Sequence, residues 1–219
     1  MANNTTPFHY AELSAAVETV ITVLHRYQRE NRNTNIKIAV IGGLAVRHYL
    51  GPGRTTFDAD ILVAGLDTTH GIKELVKSST AIFCSDRAEL QVAVRGSSKS
   101  VDLIPEKVLR PFANIPPGFI PSSTIPVTDA VTPGQLPYLS ELDLLLTKIV
   151  SCGARSNDDK SSSDGDDADN LVVHYLNLHG VTTIPLTSIK AQVVEAGLPG
   201  LVQYSRFDRR WWRTTFGLP

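Results

Sequence analysis

Across residues 8–30 the apolar side chains Leu13, Ala16, Val17, Val20, Leu24 and Tyr27 recur at spacings of three and four, the stripe of an amphipathic helix. A polar break at 31–35 follows. Residues 36–41, Ile-Lys-Ile-Ala-Val-Ile, then run β-branched and apolar into Gly42-Gly43, a pattern that predicts a buried strand entering a tight turn. Residues 44–50 suit a short helix, Gly51-Pro52-Gly53 a turn, and 57–63 a second strand that carries two acids, Asp58 and Asp60. The pattern predicts a helix over 69–79 and short strands over 81–84, 90–95 and 100–104, the last bearing Asp102.

Beyond this point the pattern changes. Eight of the thirteen prolines lie between 105 and 137, which predicts an extended connector. Residues 139–151 read as a helix with Leu142, Leu145, Leu146 and Ile149 on one face; 171–178 and 187–196 read as two more, the last started by Thr187 or Ser188. The stretch 156–170 holds six aspartates against one lysine and reads as a mobile surface loop. The expected fold is α/β (α+β): a mixed sheet with flanking helices over 1–107, a proline-rich connector over 108–138, and a small helical domain over 139–219. No internal repeat is visible.

Composition narrows the setting. At 219 residues and 42% hydrophobic, the chain can bury an ordinary core without disulfides. Cys84 and Cys152 lie among apolar residues and read as buried free thiols, which favours the cytosol. The N-terminal residues lack a signal-peptide pattern, and no apolar run approaches the roughly 18 residues of a membrane span, so a soluble cytoplasmic protein with no membrane partner is expected. With 21 basic and 22 acidic residues the net charge is −1, and the whole-protein field offers no general attraction for nucleic acid.

The chemistry concentrates at Gly42-Gly43, Asp58-Ala59-Asp60 and Asp102. Residues two apart on a strand point to one face about 6–7 Å apart, so Asp58 and Asp60 can converge on one cation, and a third carboxylate from a neighbouring strand would complete the set. Clustered carboxylates in a sheet repel unless a hard cation neutralises them, and all-oxygen ligation selects Mg²⁺ or Mn²⁺ over zinc. Paired glycines that end a strand and open a helix let backbone N–H groups approach a phosphate. Taken singly, the glycines are a tight turn, the paired acids a solvated edge and Asp102 a turn cap. Their order and spacing together suggest a metal-bound triphosphate. No P-loop or dinucleotide fingerprint is present.

Gly42-Gly43, a linker of about fourteen residues, then Asp58-x-Asp60 followed by Ile61-Leu62-Val63 and a later strand Asp102, resembles the DNA polymerase beta-type nucleotidyltransferase superfamily over residues 36–104. The form Gly-Gly-Leu-Ala…Arg-x-Thr-x-Asp-x-Asp is similar to the minimal members, which include aminoglycoside and lincosamide nucleotidyltransferases and abortive-infection toxins. The resemblance implies that Asp58 and Asp60 bind two Mg²⁺ ions, that Asp102 holds the catalytic metal and serves as base, and that Gly42 and Gly43 seat the triphosphate of a nucleoside triphosphate donor. It also places Arg54 near the phosphates, with a surface ion pair as its second reading. Asp143 to Ile149, Arg155 and Asp166 to Asp169 resemble the toxin-type lysine helix and aspartate motif, which makes Lys148 a triphosphate ligand and leaves Asp169 between that motif and a solvated loop.

The expected activity is Mg²⁺-dependent transfer of a nucleoside monophosphate to a small molecule, an RNA end or a protein, with release of pyrophosphate. The alternatives are a catalytically silent nucleotide- or partner-binding module on the same fold, and two-metal phosphodiester hydrolysis. The tail Arg206 to Arg213 is basic and aromatic, able either to grip a phosphate backbone or to seal onto a core. The six histidines show no metal-ligand spacing, and none is assigned a role.

Overall fold

A computed structural model describes residues 7–32, 34–66, 68–85, 90–105, 123–129, 134–154 and 157–219, with the side chains of 7–8 and 68–70 left aside. The described residues fall into two compact units: those before 106 together with Ser123–Leu139, and Ser140–Pro219.

The first unit contains helix α1 (Pro7–Glu30), strand β1 (Lys37–Ile41), helix α2 (Gly42–Leu50), strand β2 (Asp58–Ala64), helix α3 (Thr68–Ser78), and strands β3 (Ile82–Cys84), β4 (Leu90–Val94), β5 (Ser97–Pro105) and β6 (Ile125–Pro126). The strands form one mixed sheet in the order β3-β4-β5-β2-β1-β6. β2 and β5 are parallel, and the other pairings are antiparallel. β4 and β5 make a hairpin whose two-residue turn, Arg95 and Gly96, has both φ angles positive, which matches the right-handed twist of the flanking strands.

Alternation along the strands divides the sheet into two chemically different faces. Ile38, Val40, Ala59, Ile61, Val63, Val101 and Leu103 share a buried cluster with Leu13, Ala16, Val17, Val20 and Leu24 of α1. Each large aliphatic side chain buried there contributes about 1.5–3 kcal/mol, so this one layer carries most of the unit's stability. The interleaved positions of β2 and β5, Asp58, Asp60, Ser100 and Asp102, take the opposite face.

The second unit is helical: α4 (Glu141–Cys152), α5 (Asp158–His179), α6 (Ser188–Leu201) and α7 (Arg209–Thr215). Ser140, Asn157, Thr187 and Asp208 cap the four N-termini through their side chains. Leu144, Leu145, Ile149, Leu171, Val194 and Leu198 fill the core.

The architecture agrees with the expected mixed sheet plus helices, and three local expectations need correction. The stretch expected as a loop over 156–170 is, from Asp158 on, the first half of α5, because Ser161, Asp164, Gly165, Ala168 and Val172 form a buried stripe at helical spacing. Cys84 is exposed on the edge strand β3, while Cys152 is buried, and both are free. The proline-rich stretch does more than connect: β6 pairs with the outer edge of β1, and Tyr138 bridges Val40. Of the two readings of the tail, the seal is the one its aromatic residues take, with Trp212 and Phe216 0% and 2% exposed. Residues 106–122, 130–133 and Arg155 lie outside the described residues. Among the described residues no helix is long and apolar enough to cross a membrane.

Candidate functional site

Register brings the predicted acids together. Asp60 on β2 is the direct partner of Asp102 on β5 and, on its other side, of Ile41 on β1. Neighbouring strands lie about 4.8 Å apart, and Asp58 projects from the same face two residues before Asp60, so three carboxylates share one patch of sheet. All three are half-buried.

Gly42 follows Ile41 directly and has φ +66, a conformation that costs an L side chain about 1–2 kcal/mol. A Cβ there would run into the Asp60 carboxylate. Glycine is therefore required twice over, by the backbone turn and by the acid against it. A Cβ on Gly43 would stand 2.6 Å from Thr56 Oγ1. Gly42 and Gly43 also open α2, so the first N–H groups and the positive end of the helix dipole lie next to Asp60.

Thr56, 7% exposed, links these parts. Its hydroxyl lies 3.0 Å from Asp58 Oδ1 and 3.1 Å from the Asp58 carbonyl. The chain leading into β2 is fastened from α1 and α2. The His9 ring meets the Thr56 carbonyl at 2.9 Å, Tyr10 donates its hydroxyl to the Arg54 carbonyl at 3.1 Å, and Arg47 donates to the same carbonyl at 3.3 Å while stacking over the Tyr10 ring. Sequence reasoning gave His9, Tyr10, Arg47 and Thr56 no role. Only Thr56 had a usable signal, its place two residues before the first acid. Arg54 is half-buried and donates to the Thr55 carbonyl at 2.6 Å.

The donor set suits a hard divalent cation by chemistry, since it consists of carboxylates alone on adjacent register positions. As the side chains stand, no three His, Cys, Asp or Glu residues among those described are gathered into a metal-ligand cluster.

Lys148 belongs to the helical unit, where its ammonium lies 2.6 Å from Asp164 Oδ1 and 2.8 Å from Asp167 Oδ2, with all three side chains at most 7% exposed. Burial opposes its charge, but the two carboxylates outweigh that and hold its pKa above the ordinary lysine value. Asp169, 2% exposed, accepts from Ser205 Oγ at 2.6 Å and from the Arg206 N–H at 2.8 Å, fixing the turn before α7. Three of the six aspartates in the acidic stretch are thus buried structure with partners inside the helical unit.

No family model and no curated protein sequence matches the chain. The sheet, its flanking helices and the helical unit define a nucleotidyltransferase-like fold. The chain is similar to a solved structure, an antigenic nucleotidyltransferase-like protein from Paracoccidioides brasiliensis, with a TM-score of 0.51 and 17% identity over 87% of this chain and 88% of that one.

Proposed function

We propose that the chain is a nucleotidyltransferase that moves a nucleoside monophosphate from a nucleoside triphosphate to an acceptor hydroxyl or phosphate. The observation that carries this reading is the register of Asp60 with Asp102, with Asp58 on the same face and the Gly42 turn packed against Asp60.

In the proposed reaction the acceptor oxygen attacks the α-phosphorus, the bond to the bridging oxygen breaks, and pyrophosphate leaves. Asp58, Asp60 and Asp102 would hold Mg²⁺ or Mn²⁺, which supplies charge neutralisation for the triphosphate. Asp102 takes the acceptor proton. Backbone N–H groups of Gly42-Gly43 at the start of α2 seat the triphosphate, and Arg54 is assigned to the same phosphates. Asp58 is kept in place by Thr56, which in turn is held by His9. Lys148 is given no phosphate contact in this scheme, because Asp164 and Asp167 already hold its ammonium.

The test needs no acceptor. The melting temperature of the wild type and of Asp58→Ala/Asp60→Ala is measured with each of the four nucleoside triphosphates, with and without Mg²⁺ or Mn²⁺. A ligand at 100 times its Kd stabilises the native state by about 2.7 kcal/mol, so a working donor site shows a metal-dependent rise that the double variant loses. Pyrophosphate formed with Mn²⁺ and one triphosphate establishes cleavage at the α-phosphorus, and pyrophosphate without an equal amount of free nucleoside monophosphate establishes transfer. Binding that yields no pyrophosphate even when hydroxyl and phosphate acceptors are supplied favours the silent module, pyrophosphate with an equal amount of free nucleoside monophosphate favours hydrolysis, and no shift at millimolar triphosphate removes the donor site altogether.

A further inference from the structure

The far end of α1 carries a second concentration of charge. An open groove of about 670 Å³ is lined there by Arg26, Arg29 and Arg32, with Gln28, Thr34 and Thr128 completing its walls. Its construction is firm: Gln28 Oε1 accepts from the Ile36 N–H at 2.7 Å, Arg26 donates to the Ser78 carbonyl at 2.6 Å, and Val127 donates its N–H to the Ile36 carbonyl at 2.9 Å. Glu30 is the one acid in the lining.

Three properties point to the occupant. Arg29 and Arg32 are exposed and have no ion pair among the described residues, whereas Arg206 pairs with Asp169 and Arg213 with Glu195. Offsetting the carbonyl field at the end of a helix needs one cation in the last turn, and Arg29 already supplies it. Arg26 and Arg29 stand one turn apart on α1, about 5–6 Å between Cβ atoms, and Arg32, just past the helix end, lines the same groove, so three successive cations border it. Successive cations along an open groove suit a chain of anions, and arginine forks match phosphate oxygens two at a time. We propose that this groove binds the phosphodiester backbone of a nucleic acid, through Arg29 and Arg32 with Arg26 behind them. The net charge of −1 does not oppose this, because such contacts are made by local charge.

Fluorescence anisotropy with a single-stranded 20-mer of RNA and another of DNA, at several salt concentrations and without nucleotide or metal, tests the proposal independently of catalysis. The expected result is saturable binding that falls with salt. Arg29→Glu/Arg32→Glu should weaken it by about tenfold or more and lower the log–log salt slope by about one per arginine. Arg209→Glu/Arg210→Glu, an equal charge change in the helical unit, should leave it within about twofold. Preference for one sugar identifies the natural polymer, and equal affinity identifies a backbone reader. The proposal is overturned by an absence of saturable binding at 50 mM salt, by equal losses in the two double variants, or by polyglutamate of the same length competing as well as the oligonucleotide, which would mark an acidic protein partner. Melting temperatures of the variants within about 2 °C of wild type exclude unfolding as the cause.

Discussion

Asp60 and Asp102 are direct register partners on the parallel strands β2 and β5, although they lie far apart in the chain. Two like charges at neighbouring strand positions repel, a tension that a bound cation would relieve. Asp102→Asn should therefore raise the melting temperature of the metal-free protein, by the equivalent of a few tenths to about 1 kcal/mol, while removing any metal-dependent nucleotide shift. Differential scanning fluorimetry with and without Mg²⁺ reads both effects. A variant less stable than wild type would show that Asp102 has a structural partner that outweighs the repulsion.

The turn at Gly42 makes a sharper demand. Gly42→Ala combines a left-handed backbone with a Cβ that runs into the Asp60 carboxylate, and should cost about 1–3 kcal/mol as well as displacing that acid. Gly53→Ala is the control, since a Cβ there meets nothing within 4 Å and its φ is not positive. Denaturant unfolding of the two variants separates them, and equal stability would remove the strain argument.

In the helical unit, Lys148→Met leaves Asp164 and Asp167 buried without their counter-charge and should cost about 3–5 kcal/mol. Lys148→Met/Asp164→Asn/Asp167→Asn should recover much of the loss, because the uncompensated charges go with the lysine. The folded pKa of Lys148 is raised, so its contribution is complete below the unfolded lysine value of about 10.4 and fades only as pH climbs through the folded value. Unfolding of Lys148→Met at neutral pH is the measurement. Unchanged stability together with a lost nucleotide shift would return Lys148 to the triphosphate.

Acid stability should carry a signature of His48. Its ring stacks on Tyr138 at 4.0 Å between centroids and 12° between planes, and burial lowers its pKa below the ordinary 6.5. The unfolded chain then takes up the proton first, so stability is complete above about 6.5 and declines as pH falls toward the lower folded value. His48→Phe keeps a ring on Tyr138 and should flatten the decline between about pH 6.5 and 5 relative to wild type. Identical acid profiles for the two proteins would contradict the assignment.

Much of this was legible in the chain itself. The stripe of α1, the β-branched run of β1, the alternation of β2 and the leucines of α4 each report a local period, and local periods survive without tertiary information. The string from Gly42-Gly43 through Asp58 and Asp60 to Asp102 named the candidate site because its chemistry depends on residue type and spacing. The acidic half of α5 was misread because six aspartates look solvated until Lys148, Ser205 and the Arg206 N–H are brought against three of them. Cys84 was misread because an apolar neighbourhood in sequence does not say which strand lies at the sheet edge.

By itself the sequence determined most secondary elements of the first unit, the two chemically different halves and the set of acids, since each depends on composition and period along a single segment. Only the tertiary structure decided that Asp102 stands opposite Asp60, that Gly42 closes on the same carboxylate, that His9 and Tyr10 fasten the approach to β2, and that Arg26, Arg29 and Arg32 share a groove. These are relations between distant residues, set by strand register and by how α1 lies on the sheet, and no local pattern carries them.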